Sequence, residues 1–397
     1  MIKKAASYYI GAYRGIPKNI WWLSVVNLIN RMGTMVYPFM TIYMTRKLGY
    51  SISEAGFVMA CFGIGGIAGS YIGGKLTDKY NFYVVQFGTL LSSGIIFISL
   101  GYITHYYAIC VAAFMLSVAS EAFRPANMTA IGYFTTPENN TKSFSLNRLA
   151  FNLGWSVGGS LGGFVAAIDY HLLFWLDGLT SIFSAVAVYI FFHNLALPQK
   201  PNAKDISVKV HPLQDRTFLF FCLSTFIFAS LFFQHFTNLP AYYRNVLNFN
   251  ERFIGFLFTL NGLIIVVLEM TIVHTLEKRN LKQKSILIGH LMHGMAFLFL
   301  FLVPLTMTGS VIVTMTMTFS EMLAFPVMYS IWIRRTNDQN RGSYAGYNAM
   351  SWALAQTVGP YGGAIIAEYF GFQWLWFIVA IGSCCTAYFF WRLANTI

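Results

Sequence analysis

Glu121 lies inside an apolar run, in Ser120-Glu121-Ala122-Phe123-Arg124-Pro125, and a second glutamate stands at the matching point two hundred residues later, in Ser320-Glu321-Met322-Leu323-Ala324-Phe325-Pro326. A third, Glu269, follows Asn261 by eight residues in another apolar run. Placing a carboxylate in hydrocarbon costs roughly 2.5–3.5 kcal/mol on insertion scales, so a chain that does this repeatedly is expected to use the groups. The chemistry open to them is proton exchange, because a low dielectric disfavours the charged form of a carboxyl group. The membrane potential adds roughly 2.3 kcal/mol per charge per 100 mV to a proton taken up on one side and released on the other. Glu321, Glu121 and Glu269 are therefore the candidate proton-coupling residues. Glu321 leads, since its own helix offers it no basic neighbour, whereas Glu121 has Arg124 three residues on and on the same helical face.

Other polar side chains fall where only a cavity could accommodate them. Arg31 stands eleven residues into its apolar run, too deep to snorkel to a surface, with Asn30 beside it. Arg148 is flanked by Asn147 and Asn152. Gln234, His235 and Asn238 share one stripe, Asn261 and Glu269 another, and Asn348, Trp352 and Gln356 recur every four residues. The expected substrate cavity is thus built from Asn30, Arg31, Arg124, Arg148, Gln234, Asn238, Asn261, Asn348 and Trp352. His235, His290 and His293 read as helix-to-helix hydrogen bonders; the last two lack a convincing third ligand, so no metal site is expected. No phosphate-binding glycine loop with its lysine occurs, no cofactor is implied, and nothing resembles catalysis on a covalent bond.

These residues need elements that can hold them in a bilayer. The 397 residues are 56% hydrophobic and only 10% charged, with mean hydropathy +0.57, which is the composition of a multi-pass membrane protein. About twelve apolar runs of spanning length fall near 20–43, 55–76, 82–103, 106–133, 144–168, 171–194, 217–242, 253–276, 285–308, 310–333, 344–368 and 372–393. Met1 to Asn19 forms a basic, aromatic lead-in, and the first run has no cleavage site after it, so it is expected to stay as a span. Of 26 basic residues, 19 lie in the terminal segments and the even-to-odd loops, and only Arg46, Lys47, Arg244 and Arg252 in the opposite loops. That bias puts both termini in the cytoplasm and accounts for the net charge of +12 without nucleic acid. Cys61, Cys110, Cys222, Cys384 and Cys385 have no metal or disulfide spacing and are expected to pack. Asp177, early in the sixth run, is expected near the outer surface in a helix-end role.

The repeat runs well beyond the glutamates. Pro137-Glu138-Asn139-Asn140 is answered by Asn337-Asp338-Gln339-Asn340, Ser143-Phe144 by Ser343-Tyr344, and Gly162-Gly163 by Gly362-Gly363, all at a spacing of 200. An all-α membrane protein of twelve transmembrane helices in two pseudo-symmetric six-helix bundles is expected, at 1–195 and 216–397, joined by a cytoplasmic linker at 196–215 that carries Pro198, Pro201 and Pro212. In the second run Gly65, Gly69 and Gly73 line one helix face for close packing.

The loop after that run reads Gly74-Lys75-Leu76-Thr77-Asp78-Lys79-Tyr80. Its glycine, leucine, aspartate and basic residue come in the order that marks the second-to-third loop of the major facilitator superfamily. It departs at Asn81, Phe82 and Tyr83, where the family continues with glycine and a basic pair. Glu277 to Lys284 is the second half's degenerate copy. The fifth run's Gly154, Gly158, Gly159, Gly162 and Gly163 resemble the glycine-rich signature of the antiporter branch, with Gly159 in place of a proline, and Gly359-Pro360-Tyr361-Gly362-Gly363 is a related stretch in the eleventh. The resemblance covers the whole chain and implies two bundles rocking about a central cavity, with Asp78, Gly158, Gly162, Gly359 and Pro360 as gating or structural positions. Asp78 would lay its charge on the N-terminus of the third span. The tenth span and the Asn30-Arg31-Met32-Gly33 start look like those of bacterial proton-driven multidrug exporters. Proton-coupled peptide symporters are the alternative, but Asn27 and Asn30 stand where those carry two glutamates ahead of the arginine. The resemblance therefore implies export of small amphipathic molecules against protons by a monomer in the bacterial inner membrane. A receptor or scaffold that has kept the fold would have no use for the buried acids.

Overall fold

The computed structural model describes residues 11–195, 211–303, 306–337 and 339–395. Most of the expected linker, 196–210, lies outside these residues, as do 1–10 of the lead-in and Asp338 of the repeat. All regular structure among them is helical. The first six spans are Lys18–Met32 with Val36–Ile42, Ile52–Tyr80, Phe82–Leu100, Tyr106–Phe134, Asn140–Ile168 and Tyr170–Phe192. The last six are Arg216–Phe232 with Asn238–Asn245, Glu251–Lys278, Lys282–Leu302, Met307–Ile333, Arg341–Phe370 and Phe372–Asn395.

Nine spans among the described residues are long and apolar enough to cross a membrane. The first, fifth and eleventh are the exceptions. The first is broken into two pieces, and the other two carry Asn147, Arg148 and Asn152, or Asn348 and Gln356, on helices rich in glycine. All three exceptions contribute side chains to the candidate site described below.

The break in the first span has a local cause. Gly33 and Thr34 interrupt the ladder, with the Thr34 hydroxyl donating to the Arg31 carbonyl at 2.8 Å. The amides of Met35 and Val36, which open the second piece, donate to the two carboxylate oxygens of Asp177 at 3.0 and 2.8 Å. Asp177 is therefore a helix-end residue, fully buried (0% exposed) rather than lying at the surface, and the helix it caps is the second piece of the first span rather than its own. The seventh span breaks at the corresponding place, with a 3₁₀ turn over Phe233–His235 between its pieces. Pro125 and Pro326 lie inside the fourth and tenth spans without ending them.

Glycines set the packing within each half. Cβ atoms on Gly65 and Gly69 would lie 2.4 Å from the carbonyl oxygens of Phe114 and Val118, and one on Gly73 2.5 Å from that of Ala122, so the second and fourth spans meet backbone to backbone. Gly154 and Gly158 admit the first span in the same way, at the carbonyls of Leu28 and Met32. The outward surface is apolar, as at Phe164, Ile168 and Tyr369, while Ser70, Ser117, Ser224 and Thr318 are buried. Cys384 and Cys385 belong to that outward surface, against the expectation that they pack inside.

Asn139 donates to the Gly15 carbonyl at 3.3 Å and Gln283 to that of Ala394 at 3.1 Å, so the first and last described residues share one face with the even-to-odd loops. We call it the terminal face. The halves close against each other on that side: a Cβ on Gly74 would lie 2.6 Å from the Gly342 oxygen and 2.8 Å from the Gly346 Cα.

Candidate functional site

Away from the terminal face a cavity of about 280 Å³ opens beside the break in the first span. Asn30, Arg31, Thr34 and Tyr37 line it from that span, Glu121 and Arg124 from the fourth, Phe151 and Trp155 from the fifth, Asp177 from the sixth, and Gln356 and Thr357 from the eleventh. Glu121 and Arg124 meet at 3.7 Å, as their three-residue spacing implies. The Arg31 guanidinium lies 4.7 Å from the centre of the Phe151 ring, and its Nε is buried with no hydrogen-bond partner among the described residues.

A second charged cluster joins the halves. Arg148, from the fifth span, donates through Nε to Glu269 Oε1 of the eighth at 2.8 Å, and its Nη1 lies 3.6 Å from Glu321 Oε2 of the tenth. Asn261 donates to Glu321 Oε1 at 3.1 Å and to the Thr318 hydroxyl at 2.9 Å. Glu321 thus has no basic neighbour in its own helix, but it is not unpaired: the arginine comes from the opposite half. One guanidinium faces two carboxyl groups, all three side chains almost wholly buried. Adding one proton makes the trio neutral, and adding two leaves Arg148 without a counter-charge.

Two latches close the terminal face. Asp78 accepts from the amides of Gly342 and Ser343, each at 2.7 Å, and from the Ser343 hydroxyl. It therefore caps the eleventh span across the interface and not the third, whose cap is Asn81, accepting from the Val84 amide at 3.0 Å. Asn81 has φ +91°, a conformation asparagine tolerates better than most residues. The counterpart is Glu277, which accepts from the Lys142 amide at 3.3 Å and pairs with its ammonium at 3.4 Å. In the sequence the Glu277 loop reads only as a degenerate copy of the Asp78 loop. The spacing of 200 carried the signal, since it maps Asp78 and Gly342 onto Lys278 and Lys142, one residue from the observed pair.

Several residues assigned to the cavity do other work. Gln234 and Asn238 turn onto the eleventh span, donating to the carbonyls of Gly359 and Pro360 at 2.7 and 3.0 Å and bonding each other at 2.6 Å. Gly359 and Gly363 leave the room for this, since Cβ atoms there would strike the Ser230 backbone and the Gln234 side chain. Arg148 belongs to the charged trio, and Asn261 donates to its Glu321. Asn348 is buried with Nδ2 3.9 Å from Met128 Sδ, and Trp352 packs edge-on to Phe325. Gly162 packs on Met35 and Phe39. His293 faces the Ser383 hydroxyl at 2.9 Å, and His290 the Ile286 carbonyl at 2.8 Å. Among the described residues no group of side chains could hold a metal. An asparagine cluster that no sequence spacing signals ties the first, fourth and fifth spans: Asn27 and Asn127 both donate to Asn147 Oδ1, at 3.1 and 2.8 Å.

Comparison with known proteins bears on this geometry. A family model described as Major Facilitator Superfamily matches residues 23–324. The chain is 24% identical over 369 residues to the uncharacterized MFS-type transporter YttB of Bacillus subtilis, covering 90% of each chain. It is 30% identical over 162 residues to the multidrug resistance protein MdtG of Proteus mirabilis, covering 40% of this chain and 38% of that one. The crystal structure of a bacterial homologue of the iron transporter ferroportin, in an outward-facing state, superposes with a TM-score of 0.76 at 16% identity, over 96% of this chain and 100% of the other.

Proposed function

The chain belongs to the Major Facilitator Superfamily, and from that premise we propose that it is a secondary active transporter which exports small amphipathic molecules in exchange for protons. One observation carries the reading: Arg148 of the first half is held by Glu269 and Glu321 of the second, so the charge on two carboxyl groups sets how firmly the halves adhere on the terminal side. Multidrug resistance proteins among its relatives favour export.

The basic loops assign the terminal face to the cytoplasm. The closed terminal face then corresponds to an outward-facing state, held by Asp78, by Glu277 with Lys142, and by the deprotonated trio. Protons arriving from outside neutralise the carboxyl groups, Arg148 loses its partners, and the cytoplasmic side opens. Inside, the protons leave and the substrate binds. The trio re-forms, closes the cytoplasmic side and presents the substrate to the exterior. Each half-cycle is a population shift set by which ligand the cavity and the trio carry. The working unit is a monomer in a bacterial inner membrane, and Glu321 is the principal coupling group because Glu269 holds the closer contact with Arg148.

The test uses the full chain in proteoliposomes with a pH-sensitive dye inside and an imposed pH gradient, against a panel of amphipathic solutes. Wild type should move solute against the proton flow. Glu321→Gln should keep solute exchange at equal pH and lose gradient-driven accumulation. Gradient-driven transport at the wild-type rate in both Glu321→Gln and Glu269→Gln would overturn the coupling role, and accumulation in the direction of proton flow would make the protein a symporter.

A further inference from the structure

Four ionisable acid or guanidinium groups line the cavity: Arg31, Arg124, Glu121 and Asp177. Asp177 is wholly buried, and both its oxygens are taken by the Met35 and Val36 amides, so its charge answers the start of a helix. Glu121 answers Arg124 at 3.7 Å. Arg31 is left over. It has no carboxylate within ion-pair distance among the described residues, although Glu121 acts on it from further off; its Nε is buried without a partner, and its guanidinium lies over the face of Phe151. A half-buried guanidinium without an ion-pair partner is poorly compensated, and its planar fork matches a carboxylate edge.

We infer that the cavity takes a small amphipathic monoanion whose carboxylate seats on Arg31. The inference deepens the transport reading above and rests on it for the direction of movement alone. The rest of the cavity suits such a ligand. Its wall is apolar and aromatic at Phe62, Phe97 and Trp155, and the facing wall offers only the neutral Gln356 and Thr357. The second half repeats neither arginine, since the positions 200 residues on from Arg31 and Arg124 are Leu231 and Ala324. A ligand therefore meets one cationic anchor from one half and neutral hydrogen-bonding groups from the other. At about 280 Å³ the space sits at the lower edge of ligand pockets, which run from roughly 300 to 1,000 Å³, and favours a ring system of one or two rings. A cation would have only Glu121, already answered by Arg124 and opposed by Arg31.

The experiment compares 2-naphthoate with its uncharged amide and with the cationic 2-naphthylmethylamine on the purified full chain in detergent, without any gradient, reading Trp155 quenching and thermal stabilisation. The carboxylate should bind, and the amide and amine at least tenfold more weakly. Arg31→Gln should weaken carboxylate binding by about tenfold or more, the scale of a lost charge-assisted pair, and Arg31→Lys should recover part of it; a Trp155→Phe control identifies the quenching signal. Equal or tighter binding of the amine, or unchanged carboxylate affinity in Arg31→Gln, overturns the inference. Should Arg31→Gln fail to fold, the charge selectivity of the wild type decides alone. Carboxylate binding without gradient-driven transport would leave this site standing and sink the coupling reading. Gradient-driven transport of amines with no carboxylate binding would do the reverse.

Discussion

Arg148 is the side chain on which most depends, because it answers two buried carboxyl groups from another half of the molecule. Replacing it with methionine keeps the volume but strands Glu269 and Glu321, and breaking a buried pair from one side costs about 3–5 kcal/mol. Arg148→Met should therefore melt at a markedly lower temperature in detergent, and the triple variant with Glu269→Gln and Glu321→Gln should regain most of the loss. A triple variant no more stable than the single one would show that Arg148 acts through packing. Asp215, just before the seventh span, supplies a pH-dependent contribution. Its burial opposes ionisation, but two hydrogen bonds from Arg335 at 2.9 and 2.8 Å, the Phe218 amide and the Tyr344 hydroxyl outweigh that and hold its pKa below the ordinary aspartate value. With the native pKa depressed, its stabilisation is complete above about pH 4, the unfolded value, and disappears as pH falls through the native one. Asp215→Asn should cost about 1–3 kcal/mol at neutral pH and flatten the acid limb of a melting-temperature profile; an unchanged acid limb would remove Asp215 from the account.

The first and seventh spans are the elements whose form matters most, since each is interrupted near its middle and leans on a glycine-rich partner. Gly158 lies under the first break, where a Cβ would come within 2.6 Å of the Met32 carbonyl oxygen. That oxygen belongs to backbone and cannot swing aside, so Gly158→Val should cost about 1–3 kcal/mol or more by overpacking and displace Arg31 from the cavity. Gly262 has nothing within 4 Å of its would-be Cβ, and Gly262→Ala should be silent or mildly stabilising. Melting temperatures of the two variants check the contrast, and equal effects would discredit the packing argument. The glycine spacing was plain in the sequence. The break itself was not, because it depends on Asp177, whose carboxylate arrives 141 residues later along the chain.

For the whole molecule the decisive property is which side is closed. Asp78 and Glu277 each bridge the halves at the terminal face through near-equivalent latches. Asp78→Ala and Glu277→Ala together should raise the rate at which a cysteine at Ser343 reacts with a water-soluble maleimide from the terminal side, after the native cysteines are replaced. No change in reactivity would mean that the latches do not hold the closed state. The same reagent tests orientation: Lys284→Cys should label from the cytoplasm and Asn245→Cys from outside in intact cells, and labelling of both from one side would overturn the arrangement of twelve spans.

The number of spans, the two-fold repeat and the presence of charged groups within the membrane were legible in the chain itself, because hydropathy and a spacing of 200 are linear properties. So was the pairing of Glu121 with Arg124, since three residues make neighbours on any helix. What the linear order does not contain is which polar residue faces which span. Gln234 and Asn238 turn from the cavity to the eleventh span's carbonyls, Glu321 acquires Arg148 from the other half, and Asp78 caps a helix 264 residues away. In a bilayer a span's polar groups have no water to turn to and are paired mostly inside the protein, and the partner is chosen by the way helices cross, which only the folded bundle decides.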